Sequence, residues 1–332
     1  MAELKSGTFI LSRTPFRLPL GGGSTDLPSY YEKYGGFIFA VSINLYMDII
    51  IKRPVVDDLI HLHYASHEAE EGVENIKHNL AREALKAMDV KNRISISFKS
   101  DTPAGTGLGS SGACAVGLFK GLALYQGREM SNLEAAERSF ALTEKLKLPD
   151  GKQDPYSCAL GGFTVLEIAA DGTVQPAKPQ IDDDTIDKFF KQALFFYTGI
   201  NRDSHPLLAA QNEERVLALK HQTKTIGRQI YQSFLKGDLD QFGHLLDEHW
   251  QIKKSMSGGM SSPRLDEVYQ AARTAGALGG KILGAGGGGY FMFYCSSMQI
   301  QDQVRRTLNK YNLREIKLAI DKIGSRTKTI DL

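Results

Sequence analysis

The segment Pro103-Ala104-Gly105-Thr106-Gly107-Leu108-Gly109-Ser110-Ser111-Gly112-Ala113 constrains this 332-residue chain more than any other. An alternating run, Ile94-Ser95-Ile96-Ser97-Phe98-Lys99, precedes it, and apolar and small residues run on from Ala113 to Tyr125. Alternation, then glycines, then a long apolar stretch predicts strand, loop and helix. Glycines let the backbone approach an anion, and the free N–H groups at a helix start carry the positive end of its dipole. Ser110 and Ser111 add hydroxyls where a phosphate or a magnesium ion could sit. A tight turn with a serine cap is the other reading of one such loop.

Two more glycine segments bear on that choice: Pro15-Phe16-Arg17-Leu18-Pro19-Leu20-Gly21-Gly22-Gly23-Ser24-Thr25-Asp26 and Lys281-Ile282-Leu283-Gly284-Ala285-Gly286-Gly287-Gly288-Gly289-Tyr290. The second contains Gly284-x-Gly286-x-x-Gly289, the spacing of a dinucleotide fingerprint. That fingerprint must open a helix. Here it opens Tyr290-Phe291-Met292-Phe293-Tyr294, which reads as a strand. A Walker loop fails as well, since Gly279-Gly280-Lys281 is followed by Ile282 rather than Ser or Thr.

Together and in this order, the three segments resemble the motifs of the GHMP small-molecule kinases, and the resemblance covers nearly the whole chain. It implies a two-lobed fold with its active site in the cleft between the lobes, and transfer of a phosphoryl group from ATP to an alcohol. It assigns the nucleotide to Pro103, Gly105, Gly107, Leu108, Gly109, Ser110, Ser111, Gly112 and Ala113. It implies Mg²⁺ held by Ser110 or Ser111 with Glu144, although an exposed helix glutamate paired with a lysine is the alternative for Glu144. Gly22, Gly23, Ser24, Thr25 and Asp26 would line the acceptor pocket, and Gly286, Gly287 and Gly288 would shape it.

Asp154 lies in Asp150-Gly151-Lys152-Gln153-Asp154-Pro155, which by itself reads as a solvated turn. The resemblance makes Asp154 the carboxylate that meets the acceptor hydroxyl and Arg17 the cation that steadies the transferring group, a chemically sensible pair. Asp26 could instead cap a helix through Ser29 and Tyr34. Galactokinases carry a glutamate where this chain has Gly23, which argues for a different sugar. Thr198, Arg202 and Ser204 on one loop offer donors for a phosphate on the acceptor, and Lys152 beside Gln153 could add a cation. These features most resemble the heptose 7-phosphate kinase branch. They imply phosphorylation of the anomeric C1 hydroxyl on the way to nucleotide-activated heptose for surface glycans.

Composition excludes other classes. A net charge of +2 with well-mixed signs gives no footprint for nucleic acid. No 18-residue apolar run exists, and the N-terminus lacks a signal-peptide core. Cys114, Cys158 and Cys295 read as buried free thiols of a cytoplasmic protein. The partner is then a small-molecule sugar phosphate, and the chain a monomer or homodimer. His61, His63 and His67 read as surface histidines on a hairpin rather than a zinc site.

Strand patterns at Phe9 to Arg17, Phe37 to Ser42, Tyr46 to Arg53 and Ile60 to Tyr64 dominate the first half. Helical patterns at Asn75 to Met88, Gly109 to Tyr125 and Leu133 to Leu146 accompany them. Farther on, Ala193 to Tyr197, Tyr290 to Tyr294 and Ile316 to Ile320 read as strands. Leu207 to Leu235, Asp238 to Lys254 and Pro263 to Ala275 read as helices. Strands grouped with helices, without strict alternation, predict an α+β fold divided near residue 190, into lobes 1–190 and 191–332.

Overall fold

The computed structural model describes residues 8–201, 207 and 214–331. Two long strands form the spine, β1 (Phe9–Gly21) and β2 (Gly36–Lys52), antiparallel along nearly their whole length. Their register shifts between Pro15 and Phe16 and between Pro19 and Gly21. Proline has no N–H to give a ladder, so a bulge at each proline is where the pairing can break without losing a bond. The sequence patterns for Phe37 to Ser42 and Tyr46 to Arg53 are thus halves of one bent strand.

The two halves of β2 have different neighbours on their far side. Met47–Lys52 pairs with β5 (Ile94–Ser100), and Gly36–Val41 pairs with β6 (Phe163–Ile168). Beyond β5 lie β3 (Ile60–His63) and β4 (His67–Glu70), and beyond β6 lies β7 (Val174–Ala177). The last strand, β12 (Arg326–Ile330), returns to the outer edge of β1. A second sheet of order β11-β8-β10-β9 comprises β8 (Ala193–Tyr197), β9 (Gly279–Ile282), β10 (Tyr290–Tyr294) and β11 (Arg314–Ile316). The reading of Ile316 to Ile320 as a strand is corrected. Pairing stops at Ile316, and Ile320 makes only an isolated bridge to Ile43.

Helix α1 (Pro28–Tyr34) starts from Leu27, so Asp26 is not its cap. After it come α2 (Asn79–Ala87), α3 (Ser110–Tyr125), α4 (Asn132–Lys145), α5 (Gln153–Leu160) and α6 (Asp183–Gln192). Helix α7 (Leu217–Leu235) packs on β1 and β2 of the first sheet, α8 (Leu239–Met256) and α9 (Pro263–Thr274) pack on β9 of the second, and α10 (Met298–Leu308) packs beside α9. Helix α3 is apolar on nearly every face and is buried on nearly every face, wedged between the sheet and neighbouring helices. Among the described residues no helix is long and apolar enough to cross a membrane.

A cluster of aromatic rings joins the two halves. Phe39 and Phe163 of the first sheet meet Phe234 of α7, Phe234 meets Phe242 of α8, and Phe242 meets Tyr294 of the second sheet. Ring pairs at these spacings add about 0.5–1.5 kcal/mol each beyond their buried area. These rings tie the two sheets together through α7 and α8. The three cysteines are free and buried, and burial pushes the Cys114 and Cys295 thiols up to about 12.

Candidate active site

The cleft encloses about 1050 Å³. The loop between β5 and α3 forms one side of it, and Pro103, Gly105, Gly107, Gly109, Ser110 and Ser111 all face the opening. Gly109 stands at the helix start with a left-handed φ of 81°, and no side chain caps the helix. The first N–H groups of α3 are thus left for a ligand. Leu108, Gly112 and Ala113 are not among the residues that line the cleft. Leu108 is buried, and its carbonyl accepts the Arg17 N–H at 3.0 Å. Ala113 is buried in the helix core.

The glycines of this loop serve close packing as much as ligand access. A Cβ on Gly107 would stand 2.3 Å from the Leu283 carbonyl oxygen, and one on Gly284 would stand 2.4 Å from Gly107 Cα. Two segments far apart in sequence therefore touch backbone to backbone, each with a positive φ that favours glycine. Gly284 and Ala285 reach the cleft. Gly286, Gly287 and Gly288 do not line it. Gly286 and Gly287 pack on Met260 and Gly288 on Ile200.

The bulged end of β1 aims Arg17 at the start of α5. Arg17 is 4% exposed; its Nε and Nη2 donate to Asp154 Oδ1 at 2.9 and 2.6 Å, and Nη1 donates to Gly107 O at 2.6 Å. One guanidinium thus ties the phosphate-type loop to the carboxylate. Both bonds fall on Oδ1, and Asp154 opens to the cleft with its side chain 31% exposed. The Asp-Pro pair that suggested a turn sits in the first turn of α5, where a proline N–H would have no helical partner anyway.

Asp26 is 4% exposed, and its Oδ2 accepts the Gln153 N–H at 2.8 Å. Burial pushes its carboxyl pKa up, an effect that hydrogen bonding to Gln153 partly offsets. Gly151 makes this approach possible, since a Cβ there would stand 2.1 Å from Asp26 Oδ2. Gln153 lines the cleft with its Nε2 buried and without a partner among the described residues. Gly23 and Ser24 also line it. Gly22 and Thr25 do not. The Thr25 hydroxyl lies 2.7 Å from Gly22 O and accepts the Phe37 N–H, which folds the turn that presents Ser24 and Asp26.

Three more residues of the sequence reading lie outside the cleft lining. Lys152 points away from the cleft; its ammonium stands 3.8 Å from the Phe140 ring centre, and burial lowers its pKa. Glu144 is exposed on α4 and does not line the cleft. Thr198 spends its hydroxyl proton on Gly289 O at 2.9 Å and accepts the Ile200 N–H. Arg202 and Ser204 lie outside the described residues. His63 and His67 stack at 4.6 Å on the β3–β4 hairpin and do not line the cleft, and no set of three metal-binding side chains occurs among the described residues.

What sequence reasoning missed is a basic group on the C-terminal side. His249 and Lys253 of α8 and Lys281 of β9 all line the cleft. The available signal was a lysine inside the otherwise apolar strand pattern Gly279 to Leu283.

Residues 76–162 match the GHMP kinases N terminal domain, and residues 230–312 match GHMP kinases C terminal, together just over half the chain. The D-glycero-alpha-D-manno-heptose 7-phosphate kinase of Campylobacter jejuni is 27% identical over 301 residues, covering 86% of this chain and 89% of that protein. The L-fucokinase/L-fucose-1-P guanylyltransferase of Bacteroides fragilis is 24% identical across 93% of this chain, which spans only 37% of that longer protein. The crystal structure of a D-glycero-D-manno-heptose 1-phosphate kinase from Bacteriodes thetaiotaomicron matches with a TM-score of 0.80 at 23% identity, covering 97% of this chain and 99% of that one. With both domains matched in order around an intact cleft, the chain belongs to the GHMP kinase family and is a phosphotransferase of α+β fold.

Proposed function

We propose that this kinase transfers the γ-phosphoryl group of ATP to the anomeric C1 hydroxyl of a sugar phosphate, D-glycero-D-manno-heptose 7-phosphate. The observation that carries the reading is the Arg17–Asp154 pair at the mouth of the glycine loop. Asp154 orients the acceptor hydroxyl and takes its proton as the oxygen bonds to phosphorus and the bond to ADP breaks. Arg17 holds that carboxylate in place and adds fixed positive charge near the transferred group. Asp26, Ser24 and the amide of Gln153 supply acceptor and donor groups for sugar hydroxyls. The 27% identical heptose 7-phosphate kinase supports the choice of sugar.

The cleft residues fit a magnesium ion that arrives with the nucleotide. Magnesium takes few protein ligands and completes its shell with phosphate oxygens and water. Ser110 and Ser111 line the cleft and would hold it, while Glu144 is exposed on α4 outside the cleft lining. When bound, the ion neutralises phosphate charge.

ADP release, measured over a panel of sugars and sugar phosphates, tests the proposal. Heptose 7-phosphate should exceed free heptose, mannose, galactose and fucose by tens-fold in kcat/KM. Equal turnover of a free sugar would promote a free-sugar kinase. Absence of any turnover with tight ligand binding would indicate a sensor.

A further inference from the structure

Four side chains carry a buried polar atom with no hydrogen-bond partner among the described residues: Gln153, Ser157, His249 and Trp250. Of these, Gln153 and His249 alone also line the cleft. Buried polar groups in folded proteins nearly always find a partner, so an orphan in a cleft wall marks a place where a ligand supplies one. Gln153 is 7% exposed with its Nε2 unbonded, and His249 is 2% exposed with both ring nitrogens unbonded. They come from separate elements, Gln153 from the start of α5 and His249 from the second half of α8.

Burial, and after it the ammonium groups of Lys281 and Lys253, push the His249 imidazole toward its neutral form. A neutral imidazole offers one N–H and one lone pair, and the Gln153 Nε2 offers two N–H donors. A phosphate dianion only accepts, so it would leave the imidazole lone pair unmet. A hydroxyl donates and accepts at once and satisfies both kinds of group. Two features put those hydroxyls on the acceptor rather than the nucleotide. The Gln153 N–H is held by Asp26 Oδ2 at 2.8 Å and the next residue is Asp154, so the Gln153 side chain starts beside the reacting carboxylate. Lys281, which acts on His249, donates to Leu20 O at 2.9 Å, and Leu20 leads into the Gly23–Asp26 turn. We infer that His249 is a specificity-determining residue that, together with Gln153, reads acceptor hydroxyls other than the one phosphorylated. The inference rests on the proposal that the acceptor is a sugar, and it names the groups that tell one sugar from another.

Three variants test it. H249F keeps an aromatic ring and removes both nitrogens, H249Q returns a donor and an acceptor, and Q153M removes the amide at similar length. With heptose 7-phosphate, kcat/KM should fall about tenfold in H249F and in Q153M, one hydrogen bond each, and recover to within about threefold of wild type in H249Q. The KM for ATP should stay within about threefold in all of them. Monodeoxy analogues of heptose 7-phosphate separate recognition from a structural role. One analogue should be turned over equally by H249F and wild type, and a different one equally by Q153M and wild type, because the hydroxyl each residue reads is then gone. An unchanged kcat/KM in H249F would overturn the inference, and so would a uniform loss across every analogue. A raised KM for ATP that disappears with deoxyribose analogues of ATP would also overturn it and assign the pair to the nucleotide's ribose. If the wild type phosphorylates a free sugar and no sugar phosphate, the proposed function fails, and the same comparison with that sugar and its monodeoxy analogues supports or overturns the inference. A wild type that turns over no sugar overturns both.

Discussion

Gly112 offers a direct way to ask whether the placement of Asp154 matters to within an ångström. It lies in the first turn of α3, and a Cβ there would stand 2.7 Å from Asp154 Cβ, 2.8 Å from Asp154 C and 2.8 Å from Pro155 N. Two of those atoms are backbone, so no rotamer change relieves the overlap. Ordinary contact begins at 3.4 Å, so Gly112→Ala must push the start of α5 away by about 0.7 Å. Two effects on stability oppose each other: alanine gains about 1 kcal/mol of helix propensity, and overpacking costs about 1–3 kcal/mol. The net change is a modest loss of roughly 0–2 kcal/mol. Activity should suffer more, because a displacement near 1 Å at a reacting group costs about 10²-fold. Gly121→Ala is the control. Its nearest neighbour is the flexible tip of Ile51 at 2.8 Å, far from Asp154. Steady-state ADP release should give a kcat for Gly112→Ala about 10–100-fold below that of Gly121→Ala at matched thermal stability. Equal kcat values would refute the claim that α3 sets the carboxylate's position.

Four other outcomes are expected. Asp154→Asn should lower kcat by about 10²–10⁴ with the KM for ATP little changed, and Arg17→Lys, which keeps charge but loses the fork to Asp154 and Gly107, should lower kcat/KM by about tenfold or more. Asp26→Asn should stabilise the fold while weakening acceptor binding. The buried Asp26 has a raised pKa, so its stabilising contribution is full below about pH 3.8 and is lost as pH rises through the folded value. Urea midpoints of variant and wild type should therefore coincide at low pH and diverge in the variant's favour toward pH 7. Glu83, held by Lys145, Arg82 and Lys86, has its pKa lowered to about 2, so its contribution is present above pH 4.5 and lost as pH falls toward 2. Glu83→Gln should be less stable at pH 7, with the gap closing across that acid window in thermal melts.

Local chemistry was legible and direction was not. The strands Ala193–Tyr197 and Tyr290–Tyr294 follow from apolar runs bounded by glycine and polar residues, and the three glycine segments announce themselves by spacing. By contrast α6 was hidden in an acidic stretch, although Asp182 accepting the Thr185 N–H at 2.7 Å is a readable cap. β12 carries the polar pattern Arg-Thr-Lys-Thr-Ile, and only its pairing with β1 makes it a strand. Side-chain direction was farthest out of reach. Lys152 and Asp154 are two residues apart at the start of one helix, yet one ammonium faces an aromatic ring and the other side chain faces the cleft. Periodicity fixes which residues share a face, but which face meets the cleft depends on packing by distant elements.

This site needs three separated glycine segments rather than one. A single loop at a helix start can bind phosphate with its own N–H groups. Phosphoryl transfer also needs the acceptor hydroxyl in line, so a second backbone must come as close as the first. Here Gly284 lies against Gly107, and Gly21 and Gly22 lie against Gly227 of α7, with a Cβ on Gly227 falling 2.4 Å from Gly22 N. Each contact brings one wall of the cleft to backbone distance from the next, and Arg17 links two of them by bonding both Gly107 and Asp154. A methyl at any of these contacts meets backbone rather than a yielding side chain, so the cost is transmitted to the geometry of the cleft. The glycines therefore specify the spacing between nucleotide and acceptor, and the charged residues act across a gap that those glycines set.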